Sequence, residues 1–151
     1  MISVEPANPT NSAVTALLQQ SHALMRQLFD EDDCHFLDIS ALTAPNIRFF
    51  AAYRDGVVVG TGAISLMSDY AEIKSMFTHP DARGLGVAQA VLSKLIATAE
   101  TLEMSELKLE TGVGLDAAHA LYQKNGFEIC GPFGDYSASE ASIFMRRALS
   151  G

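Results

Sequence analysis

Basic side chains are scarce in this chain: ten lysines and arginines stand against eighteen aspartates and glutamates, a formal net charge of -8 over 151 residues. Phosphate backbones are held by clustered Lys and Arg, so nucleic acid is not an expected partner. The acidic field suits a cationic small molecule or a basic peptide, unless it serves solubility alone. Long apolar runs are missing as well. None reaches the roughly 20 residues that cross a bilayer, so no membrane partner is expected. The N-terminus lacks the basic-then-apolar order of a secretion signal, which makes a cytoplasmic location the default. Only two cysteines occur, Cys34 and Cys130. They have no neighbours at metal-ligand spacing and read as thiols in a reducing compartment. His22, His79 and His119 show no ligand spacing either, and no metal is expected.

What is present suffices for a core. At 48% apolar, residues 1–151 are expected to form one domain. Ile2 to Glu5 alternates as a first strand. Val14, Leu17, Leu18, His22, Met25, Leu28 and Phe29 fall at helical spacing, so a helix is expected over Ser12 to Phe29, capped by Asn11 or Ser12. The acidic run Asp30 to Asp33 reads as a loop, and Asp38 to Leu42 as a short helical turn stopped by Pro45. Ile47 to Arg54 and Val57 to Leu66 read as strands joined at Asp55-Gly56 by a type I′ turn. Ala71 to Thr78 is a further strand, and Gly86 to Glu103 a helix with Val87, Val91, Leu92, Leu95 and Ile96 as its apolar stripe. A strand at Leu107 to Thr111, a helix at Asp116 to Lys124 ended by Asn125-Gly126, and strands at Phe127 to Cys130 and Ser142 to Arg147 complete a mixed α/β order. The turn-rich stretch Gly131 to Tyr136 is long enough to cover a site.

The most informative segment is Thr78-His79-Pro80-Asp81-Ala82-Arg83-Gly84-Leu85-Gly86-Val87-Ala88. A strand empties into a glycine loop, and the loop opens into a long helix. Unpaired amides at a helix start, backed by the helix dipole, bind phosphate oxygens with few basic side chains; the alternative is a plain turn. The loop is neither a Walker A sequence nor a dinucleotide fingerprint. Arg83 to Ala88 fits Gln/Arg-x-x-Gly-x-Gly/Ala, and Tyr122 follows 39 residues after Arg83 inside Ala118-His119-Ala120-Leu121-Tyr122-Gln123-Lys124-Asn125-Gly126-Phe127. This combination resembles the GNAT superfamily of acetyl-CoA-dependent N-acetyltransferases, from about Phe49 to Phe144. Glu110-Thr111-Gly112, Pro132 to Tyr136 and Ser142 to Met145 are similar to a bacterial subgroup of small GNAT proteins.

The resemblance implies a central twisted, mostly antiparallel sheet that splays into a V-shaped cleft for acetyl-CoA. The pantetheine arm would run along Met76, Phe77 and Thr78, and the pyrophosphate would sit on the amides of Arg83, Gly84, Leu85, Gly86, Val87 and Ala88. Arg83 either touches phosphate or packs along the loop. The resemblance further implies that the Met76 N–H polarises the thioester carbonyl and that Tyr122 protonates the departing thiolate, unless it is a core tyrosine. Glu72 is the candidate base acting through a water, or else a surface charge paired with Lys74. Strict alternation puts Glu72, Lys74, Met76 and Thr78 on one face, a register that a bulge would shift. Relatives often carry Asn or Gln seven residues before the tyrosine, where this chain has Leu115. On the acceptor side, His35, Asp38, Lys74, Asp135 and Tyr136 are the candidates.

The activity implied is transfer of an acetyl group to a primary amine of a small molecule or peptide, by direct attack in a ternary complex. The alternatives are a non-catalytic acyl-CoA sensor and a transferase of longer acyl groups. Because relatives often pair, a homodimer is a further expectation.

Overall fold

Asn11 starts the first helix. Its side chain accepts from the amides of Ala13 and Val14 at 3.1 and 3.4 Å, satisfying donors that a helix start leaves unpaired. The computed structural model describes residues 1–34 and 36–149, apart from the side chain of Asp33. In chain order the elements are β1 (Ile2–Pro6), α1 (Ser12–Leu28), β2 (Ile47–Arg54), β3 (Val57–Leu66), β4 (Tyr70–Thr78), α2 (Val87–Thr101), β5 (Glu106–Gly112), α3 (Asp116–Lys124), β6 (Glu128–Cys130) and β7 (Ser142–Ala148). The helix expected to reach Phe29 stops one residue earlier, where Phe29 turns extended. The acidic run holds a 3-10 turn at Glu31–Asp33, and the turn expected over Asp38 to Leu42 is a 3-10 turn at Ala41–Thr43.

The strands form one sheet in the order β1-β2-β3-β4-β5-β7-β6, antiparallel except between β4 and β5. Asp55 and Gly56 make the β2–β3 hairpin with φ of 52° and 79°, the paired positive angles of a type I′ turn. Both faces of the sheet centre are covered. Phe49, Ala51 and Ala63 pack with Val14 and Leu18 of α1 and with Leu42, while Phe50, Ala52, Ile64 and Ile73 pack with Val87, Val91, Leu92 and Leu95 of α2. The alternate residues of β2 therefore enter two different cores, which is why that strand reads as a nearly unbroken apolar run.

Two features of this packing position the site. First, α2 lies unusually close to β3: a Cβ on Gly60 would stand 2.5 Å from a Val87 methyl, and one on Gly62 would stand 2.4 Å from a Val91 methyl. Two glycines in the strand thus admit the start of the helix and fix where the glycine loop sits. Second, β4 and β5 pair only from Tyr70 to Glu72, opposite Glu106 to Lys108. Beyond that point β4 follows β3 and β5 follows β7, so the sheet opens into the expected V.

β4 also carries a bulge. Thr61 pairs with Phe77 and Ala63 with Lys74, leaving Ser75 and Met76 together opposite Gly62. Ser75 takes a φ of 57°, a left-handed geometry uncommon outside glycine, and its carbonyl accepts the Thr61 hydroxyl at 2.7 Å. The extra residue breaks the two-residue period. The Met76 sulfur packs beside Val91 and Leu95 on the α2 side, whereas Glu72 and Lys74 join Tyr136 on the other. This corrects the alternation that put Met76 on one face with Glu72 and Lys74.

Candidate active site

The open side of the V holds a cleft of about 720 Å³. One wall is Met76, Phe77 and Thr78 of β4, followed by Arg83, Gly84, Gly86, Val87 and Ala88; the other is Leu115 to Ala118, Leu121 and Tyr122, and Ser21, Leu24 and Met25 of α1 also line it. Gly84 and Gly86 have φ of 80° and 84°, and a Cβ on either would have no atom within 4 Å. Gly86 is the N-cap of α2 and brings no side-chain cap, so the first amides of that helix are left for water or a ligand. Arg83 is exposed beside them, and Leu85, 44% exposed, is not among the cleft's lining residues. A reciprocal amide pair, Gln89 Nε2 to Asn125 Oδ1 at 3.0 Å and Asn125 Nδ2 to Gln89 Oε1 at 2.9 Å, ties α2 to α3. Leu115 N-caps α3 without a side-chain hydrogen bond.

At the inner end stands Tyr122, 6% exposed and edge-on to Phe127. Burial pushes its phenol well above the ordinary tyrosine range, which keeps the proton on the oxygen. Past Tyr122 the cleft continues into an inner chamber of about 160 Å³, walled by Ser21, Met25, Phe29 and Phe36 on one side and by Glu72 to Met76, Glu110 and Ser142 on the other. Ser75 Oγ, at the bulge, is buried without a hydrogen-bond partner. The Phe29 ring lies where a Cβ on Gly112 would be, 2.1 Å from its Cζ, so the C-terminal end of α1 folds down onto β5 beside the chamber.

Glu72 and Lys74 form one end of this chamber. They are ion-paired at 3.0 Å with side chains only 9% and 12% exposed. Tyr136, from the loop between β6 and β7, donates to Glu72 Oε2 at 2.5 Å and accepts from Lys74 Nζ at 2.5 Å. Desolvation, then the hydrogen bond to Glu72, raises the Tyr136 phenol far above its usual range. Ring contacts among Tyr70, Phe133, Tyr136 and Phe144 hold the loop down. On the far side lies an outer pocket of about 730 Å³, lined by Asp32, Tyr70, Asp135 and Tyr136 among others.

Apart from Leu85, Asp38 and His35, the residues expected from sequence fall into two groups. Met76, Phe77, Thr78, Arg83, Gly84, Gly86, Val87, Ala88 and Tyr122 share the cleft, and Glu72, Lys74, Asp135 and Tyr136 share the outer pocket. Asp38 lines none of the three cavities. Its carboxylate accepts from Ala41 N at 2.8 Å and Ser40 Oγ at 2.9 Å, and the Ala41 amide, then Ser40, hold it below the usual carboxylate range. It caps a turn. His35 lies outside the described residues. Sequence reasoning missed Ser21, Met25, Phe29 and Phe36. Met25 and Phe29 sit in the apolar stripe of α1 and carry no signal that separates a cleft wall from core. Among the described residues no group of three or more His, Cys, Asp or Glu could hold a metal ion, and no helix is long and apolar enough to cross a membrane.

Known proteins share this fold. The model of the acetyltransferase (GNAT) family matches residues 13–127. An IAA acetyltransferase of Azospirillum brasilense is 37% identical, with 98% of each chain covered. A Klebsiella pneumoniae structure assigned as an acyl-CoA N-acyltransferase superposes with a TM-score of 0.84 at 29% identity, over 99% of each chain. The PaiA N-acetyltransferase of Thermoplasma acidophilum, solved in complex with coenzyme A, shares the fold with a TM-score of 0.73 at 12% identity, over 98% of this chain and 99% of that one. A splayed sheet, an uncapped glycine loop and a relative alike over nearly its whole length lead to one assignment: the chain belongs to the GNAT family and is an N-acetyltransferase.

Proposed function

We propose that this enzyme, as a single domain over residues 1–151, uses acetyl-CoA to acetylate a primary amine by direct attack in a ternary complex. The observation that carries the reading is continuity: the cleft and the inner chamber share Met76 and Tyr122 in their walls, and the chamber shares Glu72 and Lys74 with the outer pocket. Donor and acceptor can therefore approach the chamber from opposite ends, the acceptor end being closed in this structure by Glu72, Lys74 and Tyr136.

The residues fit a CoA thioester. Open space above Gly84 and Gly86 and the uncapped amides of Val87 and Ala88 suit a pyrophosphate. The unpaired edge of β4 beyond Glu72 suits an amide-bearing arm, which satisfies strand donors and acceptors as an added strand would. The Leu115 side chain offers no hydrogen bond to that arm. The thioester supplies an electrophilic acyl carbon. In this reading the Met76 amide, turned by the bulge, orients the acyl oxygen. Tyr122 holds a proton for the leaving sulfur, and Glu72 accepts the proton an ammonium must lose before its nitrogen can attack. The acceptor body occupies the outer pocket.

Calorimetry with acetyl-CoA, together with CoA release across a panel of polyamines, amino acids, aminoglycosides and basic peptides, tests the reading. Binding plus release with at least one amine is expected. Binding with no release for any amine would favour a sensor, and release only with longer donors, such as succinyl-CoA, would move the assignment to another acyl group.

A further inference from the structure

The acyl chamber and the outer pocket have two lining residues in common, Glu72 and Lys74, among those described. Tyr136 bridges both side chains with its hydroxyl. The trio stands as a partition across the path proposed for the acceptor. In this arrangement Glu72 is ion-paired and also accepts a hydrogen bond from the tyrosine hydroxyl, so the lone pairs of its Oε2 are engaged by Lys74 and Tyr136 rather than by a substrate.

We infer that Glu72, Lys74 and Tyr136 form a gate, and that an acceptor ammonium opens it by replacing the Tyr136 hydroxyl on Glu72. The inference rests on the acetyltransfer reading above. A charged N–H donor makes a stronger hydrogen bond to a carboxylate than a neutral phenol does, so exchange favours the ammonium. Water, a neutral donor like the phenol, gains no such advantage. Tyr136 is then a positioning residue: it keeps Oε2 of Glu72 occupied until an amine arrives and keeps water from being activated at that oxygen against a bound thioester. The hydroxyl can move off Glu72 while Phe133 stays packed, because Tyr136 itself is only partly buried and its neighbours Gly134, Asp135, Ser137 and Ala138 are exposed.

The experiment uses water as the acceptor, so no substrate need be known. Tyr136→Phe keeps the ring contacts to Phe133 at 5.3 Å and Phe144 at 5.5 Å but removes the hydroxyl's hydrogen bonds to Glu72 and Lys74, leaving the Glu72–Lys74 ion pair in place. Water attacks the thioester carbonyl, its proton passes to Glu72, and acetate and free CoA leave. The expected result is a rise of roughly fivefold in the turnover of acetyl-CoA hydrolysis, the factor that one net hydrogen bond represents, with KM for acetyl-CoA unchanged. In a Glu72→Gln background the same substitution should have no effect, because no carboxylate remains to be released. Unchanged or slower hydrolysis in Tyr136→Phe with acetyl-CoA still bound would overturn the gate, and so would an equal gain in both backgrounds, which marks mere loosening of the loop. If the parent chain gives no heat with acetyl-CoA, the acetyltransfer reading falls and the gate with it; that result is distinct from the other two.

Discussion

Substitutions at Gly86 separate backbone strain from phosphate binding. The residue sits at a φ of 84° with no atom within 4 Å of where a Cβ would be. Any L-residue there pays the left-handed penalty of about 1–2 kcal/mol, with no steric clash in the free enzyme. For a chain of this length that is a fall of about 2–8 °C in melting temperature, the same for Gly86→Ala and Gly86→Glu. Binding distinguishes them. A Glu carboxylate reaching within about 5 Å of a diphosphate charge, at an effective dielectric constant of about 20, adds roughly 3 kcal/mol of repulsion. That is more than a hundredfold in Kd beyond the effect of Ala. Titration calorimetry with CoA on both variants, after their melting temperatures have been matched to the strain estimate, reads the difference directly. If Gly86→Glu binds CoA within about tenfold of Gly86→Ala, the amides of this loop do not hold the pyrophosphate and the reasoning is refuted.

Three further outcomes are expected. Tyr122→Phe should lower turnover by about a hundredfold, the scale of a general acid, with acetyl-CoA affinity by calorimetry nearly unchanged; a loss confined to binding would contradict the acid role. His22, stacked on Phe36 at 4.1 Å, is held below the usual histidine range by burial and then by Arg26, with Asp38 opposing. The unfolded chain therefore takes up this proton first, so stability from His22 is complete above a pH of about 6.5 and declines as pH falls below it, by at most about 1.4 kcal/mol per pH unit. Urea melts at pH 7.5 and 5.5 should show that loss, and His22→Gln should remove this part of it. Gly62→Ala places a methyl 2.4 Å from Val91 and 2.9 Å from the Met76 sulfur, and should cost about 1–3 kcal/mol by overpacking, seen as a lower urea midpoint with unchanged slope.

The chain by itself determined its local structure and the glycine-loop half of the candidate site. Asp55-Gly56 fixes a hairpin because two adjacent positive φ angles are cheap for those residues, Asn11 caps α1 with its own side chain, and Gly84 and Gly86 leave a helix start bare. Each acts within a few residues, where sequence order and spatial neighbourhood coincide. The half built from Glu72, Lys74 and Tyr136 was decided only by tertiary structure. Tyr136 reaches Glu72 and Lys74 across 64 and 62 residues of chain, and nothing local in the loop between β6 and β7 says which strand it will cover. Ser75 takes a left-handed angle that its own chemistry does not favour, because two residues of β4 must fit opposite Gly62. Asp38, a carboxylate like the others in the sequence, is spent on its own turn. Backbone preference and capping are short-range and can be read in order along a chain, whereas which side chains share a cavity depends on the closure of a seven-stranded sheet around helices far apart in sequence.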